Sequence, residues 1–189
     1  LDFSVIVVRV KENLIKAYYN SCLHRGRQLV NQEGNGRAFT CPYHGFSWNI
    51  DGTIRYIPCE WDFPHLAGQD MRLPEVRLDI WQGFVFINFD DAAIPLDQYL
   101  NPLDKEFGRW DLSNCTKIVH VAKIVWANWK VVSEAFMESL HAMQTHPQIA
   151  PFTADTNARY DILGDHTNVN IAPMGEPSPF IYKTIDDKP

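Results

Sequence analysis

The sequence lacks the features of a nucleic-acid-binding or membrane-spanning protein. Its 17 lysines and arginines are outnumbered by 23 aspartates and glutamates, so the formal net charge is −6 and no basic stripe can neutralise phosphates. No apolar run is long enough for a membrane span, and residues 1–8 are too short and too acidic for a signal peptide. We therefore expect a cytoplasmic protein. Because the first strand starts without an initiator methionine, we also expect a fragment of a longer chain.

Cysteine is scarce, and a dinucleotide-binding motif is missing. Four cysteines occur and nothing indicates secretion, so a metal site is a better interpretation than a disulfide framework. No Gly-x-Gly-x-x-Gly follows a predicted strand, so the chain carries no dinucleotide site of its own. Apolar residues, in contrast, make up 46% of the 189 residues and aromatic residues 13%. This is enough to bury a sizeable core in one large domain or two small ones.

The order of strand and helix patterns predicts an α+β fold. β-branched runs and turn residues, among them Asp51-Gly52, predict a first domain built of strands. The predicted strands are 4–10, 14–19, 37–40, 46–49, 53–56 and at least two within 76–89. Residues 90–112 read as acidic, proline-containing connectors with a short helical stretch, so we place a domain boundary there, giving domains 1–95 and 96–189. The second domain should contain a strand at 117–127, a helix at 128–145 ended by Pro147, and strands within 157–172 and 179–184.

Two Cys/His pairs form the first candidate site. The pattern is Cys-x-His, sixteen residues, then Cys-x-x-His, and it comprises Cys22, His24, Cys41 and His44. A turn-forming glycine, Gly26 or Gly45, accompanies each pair. Two ligands from one tight loop reach the same metal without long-range closure entropy, so two such loops can form a pocket with four ligands.

Ligand type alone leaves two metal chemistries open. Zinc takes two cysteines and two histidines in one tetrahedron, whereas a Rieske [2Fe–2S] centre places two thiolates on one iron and two imidazoles on the other. The order Cys-His followed by Cys-His differs from common zinc fingers, which run Cys-Cys then His-His. Buried cysteines with hydrogen-bonded core histidines are the remaining alternative. That alternative is the weakest, because two such Cys/His pairs are improbable by chance in a chain of 189 residues.

Both loops resemble the Rieske ligand loops of ring-hydroxylating oxygenases. The resemblance lies in residues 20–26, Asn-Ser-Cys-Leu-His-Arg-Gly, and residues 41–48, Cys-Pro-Tyr-His-Gly-Phe-Ser-Trp. Respiratory-chain Rieske proteins add a cysteine to each loop, and here residues 25–27, Arg-Gly-Arg, stand where the first would fall. The resemblance therefore implies a [2Fe–2S] cluster on Cys22, His24, Cys41 and His44.

The predicted helix at 128–145 carries a second candidate site. In a regular helix Glu134, Glu138 and His141 share one narrow stripe, which by itself is more typical of a solvated face. His146 lies five residues after His141, a poor spacing for one helix face, but Pro147 forces its backbone out of the helical region. His146 can then turn back toward His141, and two convergent imidazoles are the start of a non-haem iron site.

Residues 128–147 resemble the catalytic-domain helix of the same oxygenases, in the family's order and at about its separation. The resemblance implies that His141 and His146 bind the mononuclear iron. Where the family usually has an aspartate, Glu138 would orient His141 and bridge it to a cluster histidine, here His44, of a neighbouring subunit. The third iron ligand should lie beyond residue 189, so we expect the fragment to be inactive alone.

The same resemblance implies a fold, a function and partners. The fold would be an all-β Rieske domain followed by the start of an α+β, helix-grip-like catalytic domain. The function would be that of a terminal oxygenase that activates O₂ at a mononuclear Fe(II) and hydroxylates an organic substrate, with an aromatic ring as the family default. An NAD(P)H-dependent reductase, with or without a ferredoxin, would supply electrons to a homotrimer or an α3β3 assembly. The alternatives are a Rieske electron carrier without oxygenase chemistry and a zinc-stabilised binding module.

Overall fold

The chain divides into two compact units. We describe residues 3–139, 141–153, 157–163, 167–171 and 175 of a computed structural model. The first unit comprises Leu1–Asn101 with Asp111–Asn114, and the second comprises Pro102–Trp110 with Cys115–Pro189. The predicted strand at 179–184 lies outside the described residues.

A four-stranded antiparallel sheet forms one layer of the first unit. Its strands are β1 (Val5–Lys11), β2 (Leu14–Tyr19), β6 (Glu75–Trp81) and β7 (Phe84–Asn88), in the order β1-β2-β6-β7. The β6–β7 hairpin turns at Gln82 and Gly83, with φ values of 50° and 85°. Two consecutive positive φ values are those of a type I′ turn, whose twist matches that of the flanking strands.

A second, three-stranded sheet carries the turn at Asp51-Gly52. It is formed by β3 (Ala38–Thr40), β4 (Ser47–Asn49) and β5 (Ile54–Tyr56). Asp51 accepts hydrogen bonds from the backbone N–H and the hydroxyl of Thr53. Gly52 has a φ of +86°, and a Cβ there would lie 2.6 Å from the Tyr18 ring. Glycine is therefore required both by the backbone and by the close approach of the core.

The core of the first unit lies among residues of both sheets and of the loops between them. Its largest fully buried side chains are Tyr18, Trp48 and Leu73. The Trp48 indole N–H donates to the Met71 carbonyl at 2.8 Å, so its one polar atom is satisfied. Cys22 and Cys41 belong to the same buried cluster. The candidate ligand loops are thus anchored in the core rather than attached to its surface.

Short helices and one hairpin make up the remaining regular structure. The helices are α1 (Leu96–Tyr99), α2 (Leu103–Phe107), α3 (Trp129–Glu134) and α4 (Ala142–Thr145), with short 3₁₀ turns at Glu60–Asp62, Pro64–Leu66, Gly108–Trp110 and Leu112–Asn114. Strands β8 (Arg159–Leu163) and β9 (Thr167–Ile171) pair antiparallel, Asp161 opposite Val169. In the described part of the chain no helix is long and apolar enough to span a membrane.

The prediction of one continuous helix over 128–145 is wrong. The segment forms α3 and α4, separated by residues 135–141. Asn128 caps α3 by accepting a hydrogen bond from the Lys130 N–H. Between the helices, the N–H of Ser139 donates to the Tyr160 hydroxyl, and the N–H of His141 donates to the Glu138 carboxylate. Side chains thus replace the helical carbonyl acceptors, and the helix is interrupted there.

The strand predicted at 117–127 is also not formed. Its alternating β-branched residues have no regular secondary structure, and no strand among the described residues pairs with them. Ile118 and Trp126 are 96% and 95% exposed. Alternation describes which residues suit a sheet, but the hydrogen bonds of a strand come from its neighbour.

Candidate metal centres

The two candidate ligand loops of the first unit are built alike. In each, the glycine four residues after the cysteine donates its N–H to the cysteine carbonyl: Gly26 to Cys22 at 2.8 Å and Gly45 to Cys41 at 3.0 Å. Each cysteine N–H in turn donates to the carbonyl five residues ahead, on Arg27 or Phe46. The glycines have φ values of +71° and +82°, which explains why glycine closes both turns.

The two thiols lie buried beside each other. Cys22 is 3% exposed and Cys41 is 2% exposed, both belong to one buried cluster, and each thiol shifts the pKa of the other. Burial raises the pKa of the Cys22 thiol. Burial acts in the same direction on Cys41. The backbone N–H groups of Tyr43 and His44, the Cys22 thiol and the charge of Arg27 together outweigh it, so the pKa of the Cys41 thiol is lowered. Loop amides thus already point at the sulfur atoms, as thiolate ligands require.

The two imidazoles face each other at the same place. Their ring centroids are 4.8 Å apart and their planes are inclined by 59°. The Nδ1 atom of His24 is buried and has no hydrogen-bond partner among the described residues. Burial, with the nearby charges of His44 and Arg25, lowers the pKa of His24, which favours the neutral ring that binds metals.

These features fit a two-iron cluster with mixed ligands. Two buried sulfurs and two neighbouring imidazoles are the donor set of a Rieske centre. A buried nitrogen without a partner is costly in a folded protein, and coordination would give the Nδ1 of His24 the partner that it lacks. The structure thus places the two cysteines in one buried cluster and the two imidazoles beside each other; that Cys22, His24, Cys41 and His44 together hold one cluster stays a prediction.

Asn20 supports the first ligand loop, although its sequence position gave no reason to select it. Its side chain is 8% exposed. Its amide oxygen accepts the N–H groups of Leu29 and Val30 at 2.9 and 3.0 Å, and its amide nitrogen donates to the Ser4 hydroxyl and the Val30 carbonyl. One side chain thus fastens both ends of the segment that carries Cys22 and His24.

The second candidate centre lies in the second unit, at the interrupted helix. His141 precedes α4, and the backbone leaves α4 at His146, where φ is −126°. The two imidazole centroids are 5.5 Å apart. The Glu138 carboxylate contacts Nδ1 of His141 and accepts its backbone N–H at 3.2 Å. This contact fixes the orientation of the His141 ring and favours Nε2 as the free ligand atom.

A third donor for this centre is not found in the described part of the chain, where no three His, Cys, Asp or Glu side chains are grouped as single-ion ligands. Asp161 pairs with Arg159 at 2.6 Å. Asp155 and Asp165 lie outside the described residues. Glu134 is exposed on α3, so it is not held toward the histidines by burial.

Among the described residues, the remaining cysteines and histidines do not belong to a group of possible metal ligands. Cys59 and Cys115 are exposed. His65 contacts the Phe63 ring edge-on at 6.1 Å, and His120 is exposed. His166 lies outside the described residues. Tyr160 is a further site residue that the sequence did not reveal, because only the fold brings its hydroxyl to Ser139.

Comparison with protein families defines the class of protein. Residues 1–67 match the Rieske [2Fe-2S] domain. Residues 104–185 match the family described as the ring hydroxylating alpha subunit (catalytic domain). The first unit is therefore that of a Rieske iron–sulfur protein, and the two matched domains imply a Rieske [2Fe–2S] cluster and a mononuclear iron as cofactors. The family match therefore favours the Rieske interpretation over the zinc-stabilised binding module.

Individual relatives match most of the chain. The chain is 33% identical over 153 residues to the carnitine monooxygenase oxygenase subunit of Escherichia coli (strain K12), covering 76% of this chain and 39% of that protein. It is 30% identical over 157 residues to the benzene 1,2-dioxygenase subunit alpha of Pseudomonas putida, covering 79% and 35%. The structure of naphthalene 1,2-dioxygenase with indole bound in the active site superposes with a TM-score of 0.67 at 32% identity, covering 76% and 34%.

The chain belongs to the large (alpha) subunits of Rieske-type non-haem iron oxygenases. It spans about two fifths of the length of the curated relatives that it matches. The α+β fold predicted from the sequence, an all-β Rieske domain followed by part of the catalytic domain, is confirmed.

Proposed function

We propose that the chain is part of a terminal oxygenase that hydroxylates a small organic molecule with O₂ and electrons from a reductase. The observation that carries this proposal is that one chain holds two separate donor sets. Two buried cysteines and two neighbouring histidines lie in the first unit, and a histidine pair with an attached carboxylate lies in the second. A protein that only carries electrons does not need the second set of metal ligands.

In the first unit, Cys22 and Cys41 would bind one iron of the cluster, and His24 and His44 the other. The two pairs differ in burial, since both cysteines are buried, whereas His44 is exposed. Electrons would therefore enter or leave at the histidine side. We place this Rieske part at residues 1–95 and the catalytic part at 96–189.

In the second unit, His141 and His146 would bind the mononuclear iron, which supplies the single-electron activation of O₂ when bound. Glu138 holds the His141 ring by its Nδ1 and leaves Nε2 for the metal. In an assembled oxygenase the same carboxylate would reach His44 of a neighbouring subunit and complete an electron path. Glutamate is one methylene longer than the family's usual aspartate, which lengthens its reach. The third ligand would come from a segment beyond residue 189.

The relatives indicate two chemical classes of substrate. Carnitine carries a quaternary ammonium group, whereas benzene and naphthalene are aromatic hydrocarbons. The expected aromatic substrate is thus widened to a small organic molecule of either class. The proposed partners are an NAD(P)H-dependent reductase, with or without a ferredoxin, and further copies of the subunit in a homotrimer or an α3β3 assembly in the cytoplasm.

Substitutions in the second unit test this assignment. His141→Ala should lower the mononuclear iron content while the cluster's colour stays, because the two centres use different ligands. Glu138→Ala should keep both metals yet lower product formation about 10–100-fold, the usual effect of losing a group that orients a ligand. Iron and sulfide are measured on this chain, and product is measured on an oxygenase subunit that also carries the third iron ligand, with reductase and with benzene and carnitine as probe substrates.

The exposed neighbour Glu134 provides the control, since Glu134→Ala should leave metals and product formation unchanged. Loss of both metal centres in His141→Ala would contradict separate sites and indicate a purely structural role. Undiminished turnover in Glu138→Ala would remove this carboxylate from the electron path.

A further inference from the structure

The two cluster histidines differ in the aromatic side chains that hold them. His24 is half-buried and stacks on Phe46, with centroids 4.9 Å apart and planes inclined by 23°. The Phe63 ring meets its edge at 6.4 Å. His44, in contrast, is exposed, and the ring stacked on it is that of Tyr43, at 3.8 Å and 30°.

The contact between Tyr43 and His44 is unusually close for two aromatic rings. Centroids of such pairs commonly lie 4.5–7 Å apart. The Tyr43 side chain is 59% exposed, so burial in the core does not hold it in place. Rotation of an imidazole about its last side-chain bond is only weakly restricted by its own torsion. A ring lying flat on one face supplies the missing restriction and also keeps water from that face.

We propose that Tyr43 is a positioning residue that fixes the orientation of His44 on the cluster and shields its outer face from water. The proposal rests on the proposed function, because it takes His44 as a cluster ligand. His24 obtains the same support from Phe46 and Phe63 inside the protein. Tyr43 thus gives the exposed His44 the stacking support that core aromatic rings give to His24.

Shielding the cluster from water changes its reduction potential in a direction that follows from the cluster's charge. Two ferric ions, two sulfides, two thiolates and two neutral imidazoles sum to zero charge, and the added electron makes the reduced centre negative. Water stabilises the charged form more than the neutral one, and solvent exposure is one of the factors that set cluster potentials. Removing the Tyr43 ring should therefore raise the reduction potential.

Two substitutions separate the ring from the hydroxyl. Tyr43→Phe keeps a stacking ring, and Tyr43→Leu removes it while keeping apolar bulk. We expect Tyr43→Phe to retain the potential and the electron paramagnetic resonance g-values of the reduced wild-type cluster. Tyr43→Leu should favour reduction by roughly threefold, ~28 mV at 59 mV per tenfold change for one electron, with altered g-values. Tyr56→Leu is the matched control, because Tyr56 on β5 is equally exposed, at 58%.

The outcomes separate this proposal from the proposed function. Unchanged potential and g-values in Tyr43→Leu, with a full cluster, would overturn the role of Tyr43 and leave the oxygenase assignment intact. A Tyr43→Leu protein that folds but takes up no cluster, beside a loaded Tyr43→Phe, would support the ring as the group that holds His44. A wild-type protein without cluster sulfide would instead remove the proposed function itself.

Discussion

At the residue scale, the metal-binding residues could be read from the sequence, whereas the residues that hold them could not. Short Cys/His spacing is a local pattern, so Cys22, His24, Cys41 and His44 were visible without a fold. Asn20 and the aromatic partners act through contacts that only the folded chain creates. The Asn20 side chain, for example, reaches Ser4, sixteen residues earlier, and Val30, ten residues later.

Asn20 should be among the most sensitive positions of the first unit. Asn20→Ala leaves the buried N–H groups of Leu29 and Val30 without acceptors, and each such loss costs about 1–3 kcal/mol. We expect the free energy of unfolding to fall by about 2–4 kcal/mol, with weaker retention of the cluster. Urea denaturation of the holoprotein measures it, and Asn35→Ala, in an exposed loop, is the control. A loss no greater than that of the control would contradict the role of Asn20 as a clamp.

Tyr18 gives the first unit a pH dependence at alkaline pH. Burial, together with the charges of Glu75 and Asp51, raises the pKa of Tyr18 to about 12, and its hydroxyl is buried without a partner among the described residues. Between the ordinary pKa of about 10 and the raised value, only the unfolded chain releases this proton, so stability falls as pH rises.

Replacing Tyr18 by phenylalanine should reduce that dependence. Tyr18→Phe removes a buried, unpaired hydroxyl, so we expect stability near neutral pH to be kept or slightly increased. Urea denaturation at pH 9 and pH 11 should show a smaller loss of stability for Tyr18→Phe than for the wild type or for the exposed control Tyr56→Phe. Equal losses in all three proteins would show that Tyr18 does not titrate as described.

At the element scale, local patterns predicted the strands of both units well, including those within 157–172, but not the helix at 128–145 or the strand at 117–127 of the second unit. The strands predicted at 4–10, 14–19 and 53–56 correspond to β1, β2 and β5, because alternation and turn residues fix them locally. The helix at 128–145 was predicted from its apolar periodicity, but its interruption depends on Tyr160, a residue more than twenty positions later. The boundary between 95 and 96 stays a prediction.

Tyr160 should matter for iron binding although it is no ligand. Its hydroxyl accepts the N–H of Ser139 at 3.1 Å and shares a hydrogen bond with the Ser139 hydroxyl at 2.8 Å. This bond holds the non-helical segment between Glu138 and His141. Tyr160→Phe should therefore weaken retention of the mononuclear iron by about tenfold, as supporting residues of metal sites commonly do.

A chelator titration that follows iron loss from the mononuclear site measures this effect, with the visible spectrum as a check on the cluster. Ser139→Ala removes only one of the two contacts, so its effect should be smaller than that of Tyr160→Phe. Unchanged iron retention in Tyr160→Phe would show that the segment holds its shape without the Tyr160 hydroxyl.

At the scale of the whole molecule, family membership follows from two motifs on one chain. Either motif alone is compatible with a simpler protein, a carrier for the first and a solvated helix for the second. The third iron ligand could not be predicted, because no residue pattern in the sequence marks one. The exposed apolar residues of 117–127 and of β7 likewise show that periodicity indicates which residues suit a sheet but not what packs against them.

The central claim is that Cys22, His24, Cys41 and His44 hold a Rieske cluster. The most direct measurement is the visible and electron paramagnetic resonance spectrum of freshly purified protein, with iron, zinc and acid-labile sulfide counted on the same sample. We expect a red-brown protein with about two irons and two sulfides in the cluster, and a cluster signal lost in Cys41→Ala. Colourless protein with stoichiometric zinc, and no uptake of iron and sulfide on anaerobic reconstitution, would contradict it.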